Sequence, residues 1–176
     1  KEEGVFPALA IGINDIAGTG YYSSEYIVGS YGINNLDFHF GLGWGTLNGS
    51  DNSIKNPLTY LHESFKNRPT GYADKGGQFQ PSRYFSDKSV SPFYGITYVL
   101  NDKFSLKFEN DTTKTDGLID YPQPNKKTSF AVEYNPSSNF TIGLSRERDN
   151  FLSLKFIYKK DASLSNKSSA YKRIPR

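Results

Sequence analysis

Cysteine and methionine are absent from the 176 residues, and tryptophan occurs once. Without cysteine, these residues hold no disulfide, thiolate metal site, thiol nucleophile or lipidated cysteine, and they give no redox clue to compartment. Histidine is scarce as well: His39 and His62 stand far apart, without the close pairing that grips a metal. No apolar run approaches the roughly 18 to 20 residues of a spanning helix, so a helical membrane protein is excluded. A membrane β-barrel is not, because its strands alternate and its loops are polar. Excess charge of one sign is also missing. The 21 Lys and Arg against 18 Asp and Glu leave +3, too mild to argue for nucleic acid or an anionic surface as the main partner.

What is present is aromatic and strand-forming: 13 Tyr, 13 Phe and 16 Gly in a length that suits one domain with a tail. Leu36, Phe38, Phe40, Leu42 and Trp44 alternate with Asp37, His39, Gly41, Gly43 and Gly45, the two-residue period of a strand. The pattern recurs at 103–109, 129–134, 140–145 and 151–158, and less cleanly at 8–14, 24–31 and 93–100. About eight strands and no convincing helix follow. Turn formers at 32–35, 101–102 and 135–138 predict short hairpins. The opposite end receives the longer connections, 49–91 and 112–128 among them, a segregation that outer-membrane meanders share. The expected fold is an antiparallel up-and-down transmembrane β-barrel, or part of one, over residues 1–158.

Alternation alone does not say which face meets solvent. The polar face is rich in Gly, Ser, Ala and Thr, which suits a cramped barrel interior better than a solvated surface. Trp44, Tyr94, Tyr98, Tyr134 and Tyr158 fall near strand ends, as an interfacial aromatic girdle would. An inverted barrel would then place Glu25, Asp37, His39, Lys107, Glu109, Glu133 and Lys155 in its lumen. The competing reading, a soluble all-β glycan-binding or structural domain, puts the same residues in water.

No catalytic constellation stands out, and neither a metal nor a cofactor is expected. Gly41, Gly43 and Gly45 lack the lysine and helix of a phosphate loop and read as room for neighbouring side chains. Glu109, Asp111 and Asp116 cluster at a strand end, where a solvated rim is the default over acid–base chemistry. The long loop gathers aromatic rings and cations. Tyr72, Arg83 and Tyr84 are its candidate glycan contacts, against the alternative that they fold the loop over the barrel mouth.

The runs Phe6-Pro7-Ala8-Leu9-Ala10-Ile11-Gly12, Asp15-Ile16-Ala17-Gly18-Thr19-Gly20, Ser23-Ser24-Glu25-Tyr26 and Gly41-Leu42-Gly43-Trp44-Gly45 occur in that order. Asn56-Pro57, Gly76-Gly77-Gln78-Phe79 and Tyr84-Phe85 follow. Together they resemble the YjbH-like family of exopolysaccharide-biosynthesis proteins, from about residue 6 to 158. The resemblance implies a bacterial outer-membrane β-barrel, often a lipoprotein, working with periplasmic partners to make or export an extracellular polysaccharide. It implies membrane lipid as a partner, no nucleic acid and no catalytic residues to carry over. Family members are longer and carry an export signal, so a chain opening at Lys1-Glu2-Glu3 is expected to be one portion of a larger barrel. Residues 159–176, polar and basic, are then a tail or a linker to a continuation.

Overall fold

A computed structural model describes residues 6–18, 20–69, 77, 79–114 and 124–160. Asp116, Tyr72 and nearly all of the tail lie outside the described residues. The strands are β1 (Ala8–Asn14), β2 (Ser24–Ile33), β3 (Leu36–Gly45), β4 (Ile54–Lys55), β5 (Ser89–Val99), β6 (Phe104–Asn110), β7 (Thr128–Ser137), β8 (Phe140–Glu147) and β9 (Phe151–Tyr158). They form one nine-stranded sheet in the order β1-β2-β3-β5-β6-β7-β8-β9, with β4 added against β5. Every pairing is antiparallel. The alternating runs thus become the strands of a meander, and the addition is the two-residue β4 inside the long loop. The sheet is open: among the described residues β1 and β9 are not paired with each other, so this segment does not close into a barrel.

Local chemistry sets the turns. Ile33 opposite Leu36 leaves Asn34 and Asn35 to turn the chain, and Asn34 takes φ 52°, a left-handed geometry that asparagine tolerates. The Asn101 side chain accepts from the Lys103 and Phe104 amides, forming the turn between β5 and β6. The expected turn at 135–138 moves outward: β7 continues to Ser137 through a bulge after Tyr134, which accommodates Pro136. All three turns lie at one end of the sheet; the long connections lie at the other.

Residues opposite one another share a face, so register sorts the side chains. One face carries Leu9, Ile11, Phe40, Tyr94, Leu106, Phe130, Leu144, Leu154 and Phe156. It is bare: Leu9 is 75 % exposed, Phe40 59 % and Leu154 61 %. The other carries Gly41, Gly43, Ser91, Ser105, Glu133 and Gly143, all buried. Among the described residues the buried apolar side chains are Trp44 and Val90. This is the reverse of a domain that folds around an apolar core, where large bare patches are rare. Rings facing outward nevertheless meet across strands: Phe104 stacks on Tyr134 at 4.8 Å, and Phe108 meets Phe130 at 4.9 Å. Each pair is worth roughly 0.5 to 1.5 kcal/mol and holds the register.

The buried glycines make space on the crowded face. The Phe93 ring lies over Gly41, the Tyr26 ring over Gly12 and Leu47 beside Gly43. A Cβ at Gly41 would also press on the Ile27 carbonyl oxygen at 2.8 Å, whereas at Gly95 the nearest atom is 3.6 Å away. Gly41→Ala is therefore expected to lower stability by about 1 to 3 kcal/mol. Gly95→Ala should stay within about 0.5 kcal/mol, both read by urea unfolding in detergent.

Candidate functional site

Six of the seven candidate interior residues share the small-residue face, on which Glu133 is buried, Lys107 is half-buried and Asp37, His39, Glu109 and Lys155 are exposed. Register lines up Asp37, Thr97 and Lys107 across β3, β5 and β6, and His39, Gly95 and Glu109 one rung further along. Ser105, Glu133, Gly143 and Lys155 form a third row across β6 to β9. Lys155 and Glu133 are two strands apart with Gly143 between them, and the bare glycine lets the lysine lie across to the carboxylate. Lys155 pairs with Oε1 of Glu133, while Lys107 Nζ meets Oε2 at 2.8 Å. One buried carboxylate thus joins two half-exposed ammonium groups. His39 Nδ1 lies 2.8 Å from Ser30 Oγ on the neighbouring strand.

Beside this triad is a cleft of about 380 Å³, lined by Lys107, Glu109, Ser129, Ser145, Glu147 and Lys155 among others. Its wall carries charge of both signs and several hydroxyl groups. Such a surface offers donors and acceptors to a hydroxyl-rich solute, with Phe130 and Leu144 at its margin.

Glu25 corrects the expectation. Its register partners are Ile13 and Trp44, so it sits in the apolar phase of β2 with Ile27, not with Asp37 and His39. A bare carboxylate there would be costly, and the long loop covers it. Arg68 binds it through two bonds, Nη1 to Oε2 at 2.7 Å and Nη2 to Oε1 at 2.9 Å. The Phe85 amide donates to Oε2 at 3.1 Å. Arg68 Nη2 also donates to Ser23 Oγ at 2.9 Å, and Nη1 to the Arg83 carbonyl at 3.1 Å. Glu25 is fully buried by this. Trp44, expected in an exposed girdle, is fully buried too, with the Phe85 ring edge-on at 5.2 Å.

The described residues of the loop therefore form a folded cap. Asn56, fully buried, is its node: Nδ2 donates to the carbonyls of Phe65, Phe85 and Asp87, and Oδ1 accepts from the Leu58 amide. Two 3-10 turns, Pro57–Tyr60 and Glu63–Lys66, follow it. Sequence reading noted Asn56 in a motif and Arg68 among the loop cations but assigned neither a role. An acid in the apolar phase of a strand was the available signal that a cation must come from elsewhere.

Arg83 and Tyr84 serve the cap. Arg83 Nη2 donates to the Gly20 carbonyl at 3.0 Å, and the Tyr84 hydroxyl to that of Ile16 at 2.5 Å. Burial and then the neighbouring Arg68 push the Arg83 guanidinium below its ordinary pKa, against the pull of Glu25. Both side chains tie the cap to the β1–β2 connection, and Tyr72 lies outside the described residues. Among the described residues, the exposed Tyr and Phe rings of the cap are Tyr60 and Phe79.

Arg68→Ala would strand a buried carboxylate and is expected to cost about 3 to 5 kcal/mol. Limited proteolysis should show the cap opening, with new cleavage in 56–69. Glu25→Gln combined with Arg68→Gln should lose clearly less, since no buried charge remains.

Residues 1–175 of the 176 match the family model described as "Exopolysaccharide biosynthesis protein YbjH". Among curated proteins, the "Uncharacterized lipoprotein YjbH" of Escherichia coli (strain K12) is 31% identical over 147 residues, which is 82% of this chain and 20% of that protein. The chain thus spans about a fifth of the relative's length. No solved structure matches it. On the family match and this identity, carried by an all-antiparallel sheet, the chain belongs to the YjbH family of exopolysaccharide-biosynthesis proteins.

Proposed function

We propose that this chain is a sector of a non-enzymatic outer-membrane β-barrel that takes part in exopolysaccharide export or assembly. The observation that carries the reading is the inverted burial, with Leu9, Phe40, Leu152 and Leu154 bare on one face and Ser91, Ser105 and Glu133 buried on the other. Water disfavours that arrangement and hydrocarbon favours it. The family's link to exopolysaccharide biosynthesis and the lipoprotein name of the Escherichia coli relative support a place in the cell envelope. In a bilayer, unpaired strand edges are costly, so β1 and β9 would pair with further strands of the full-length protein. The mixed-charge face would line the interior, and the Lys107–Glu133–Lys155 group would be part of its wall. Polysaccharide and periplasmic export proteins are the partners this reading implies, with the capped end of the sheet outside the cell and the hairpin end in the periplasm.

Phe40→Arg tests the assignment of faces. Arginine at a lipid-facing midplane position costs roughly 2 to 4 kcal/mol, whereas on a water-exposed sheet the change is close to neutral. Folding of the full-length protein into lipid vesicles, followed by urea titration, should show the larger loss. An unchanged midpoint would favour the solvated sheet. Orientation is checked with single cysteines in these cysteine-free residues. On intact cells, Asn52→Cys should react with an impermeant maleimide, and Asn139→Cys only after the outer membrane is opened.

A further inference from the structure

The cap draws together three lysines that are distant in sequence. Asn56 stands beside Lys55; its side-chain amide donates to the carbonyls of Phe65 and Asp87, which precede Lys66 and Lys88. Its own backbone amide donates to the Lys88 carbonyl at 3.0 Å. One buried residue therefore holds the three lysine-bearing segments against each other. The result is a cleft of about 260 Å³ lined by Lys55, Thr59, Glu63, Lys66 and Lys88. Three lysines and one glutamate line it, and among the described residues none of the three lysines is in an ion pair. The second turn that carries Lys66 is fixed by His62, whose Nδ1 accepts from the Ser64 amide.

The surroundings say which anion fits. Tyr60 and Leu61, between the lysine-bearing segments, are 75 % and 77 % exposed, and Ile54 is 47 % exposed. Lys55 Nζ lies over the Tyr60 ring at 4.3 Å. Arg68 and Phe85 of the cap lie on the apolar side of the sheet, where they cover Glu25 and Trp44 at the strand ends. Cations beside bare apolar side chains, at the margin of an apolar belt, match an amphiphile with a charged head and a hydrocarbon body.

We propose that the Lys55–Lys66–Lys88 cleft binds the phosphate-bearing head group of an anionic membrane lipid, with Tyr60 and Leu61 against its apolar part. The proposal rests on the membrane reading above and adds a specific lipid site to it. The Thr59 hydroxyl donates to the Asn56 carbonyl at 2.7 Å and holds that wall of the cleft in place, and Glu63 would select for ligands that also carry a donor.

The test uses full-length protein. Folding into vesicles of pure phosphatidylcholine comes first, because it asks only whether the protein inserts. Failure to insert overturns the membrane reading and this site with it. Given insertion, phosphatidylglycerol retained by the detergent-extracted protein is counted by native mass spectrometry. The wild type should prefer it over phosphatidylcholine by roughly tenfold. K55Q/K66Q/K88Q should abolish the preference, and K55R/K66R/K88R should keep it. The control K103Q/K126Q/K159Q, which removes three other exposed lysines, should leave it intact. Normal insertion with no preference in the wild type, or equal loss in the control, overturns the site while the membrane reading stands. Displacement of the lipid by millimolar inorganic phosphate would also overturn it, by marking a site for soluble anions.

Discussion

Backbone pairing holds this sheet together, because side-chain burial cannot. An ordinary domain gains most of its stability by removing apolar side chains from water. Here the buried apolar side chains among the described residues are Trp44 and Val90, and both lie near the cap. What remains is a continuous ladder from β1 to β9 in chain order, except that β3 pairs with β5 and the short β4 adds to β5 beside it. Such a ladder is stable where hydrogen bonds have no water to compete with them and the apolar face has hydrocarbon to meet. The same side-chain period that would build a core in water builds a lipid-facing surface in a membrane. The two cases differ in what fills the opposite face.

That opposite face is filled by small residues and paired charges. Gly41 and Gly12 give way to the rings of Phe93 and Tyr26, which reach inward from neighbouring strands. Gly143 gives way to the Lys155 chain on its path to Glu133. These glycines were recognisable as spacing devices, since glycine in a strand interior is otherwise unfavourable. Their partners were not recognisable, because a sequence does not state its register. Once register is set, Glu133 falls beside both Lys107 and Lys155, and the charge group follows from geometry.

The strands were legible because their signal is short-range: alternation over about seven residues and a turn former at each end. The open edges were not, since closure depends on shear and strand number over the whole sheet. The clasp between Glu25 and Arg68 spans 43 residues and carries no local mark on the arginine side. Reading Glu25 as a lumen residue followed from its charge, whereas its phase with Ile27 and Trp44 places it on the other face. Arg83 and Tyr84 were picked out because rings and cations suit sugars. Their side chains are engaged by the Gly20 and Ile16 carbonyls, the packing role that the sequence reading set beside sugar contact.

The cap resolves a conflict that the sheet alone would carry. β2 and β3 bring a carboxylate and an indole ring to the apolar face at the strand ends, where, on the proposed membrane reading, hydrocarbon would give way to head groups. Glu25 would be intolerable in hydrocarbon and Trp44 would be at home near its margin. Arg68 neutralises the first and Phe85 covers the second, from one loop held by Asn56. Placing the cap there moves the boundary of the apolar surface outward, from the strands onto Ile54, Tyr60 and Leu61. The lysines beside them then stand where an anionic head group would lie. The buried acid and the exposed cations are thus two consequences of one folded loop: the first fastens it to the sheet, and the second gives its outer side a chemistry that the strands lack.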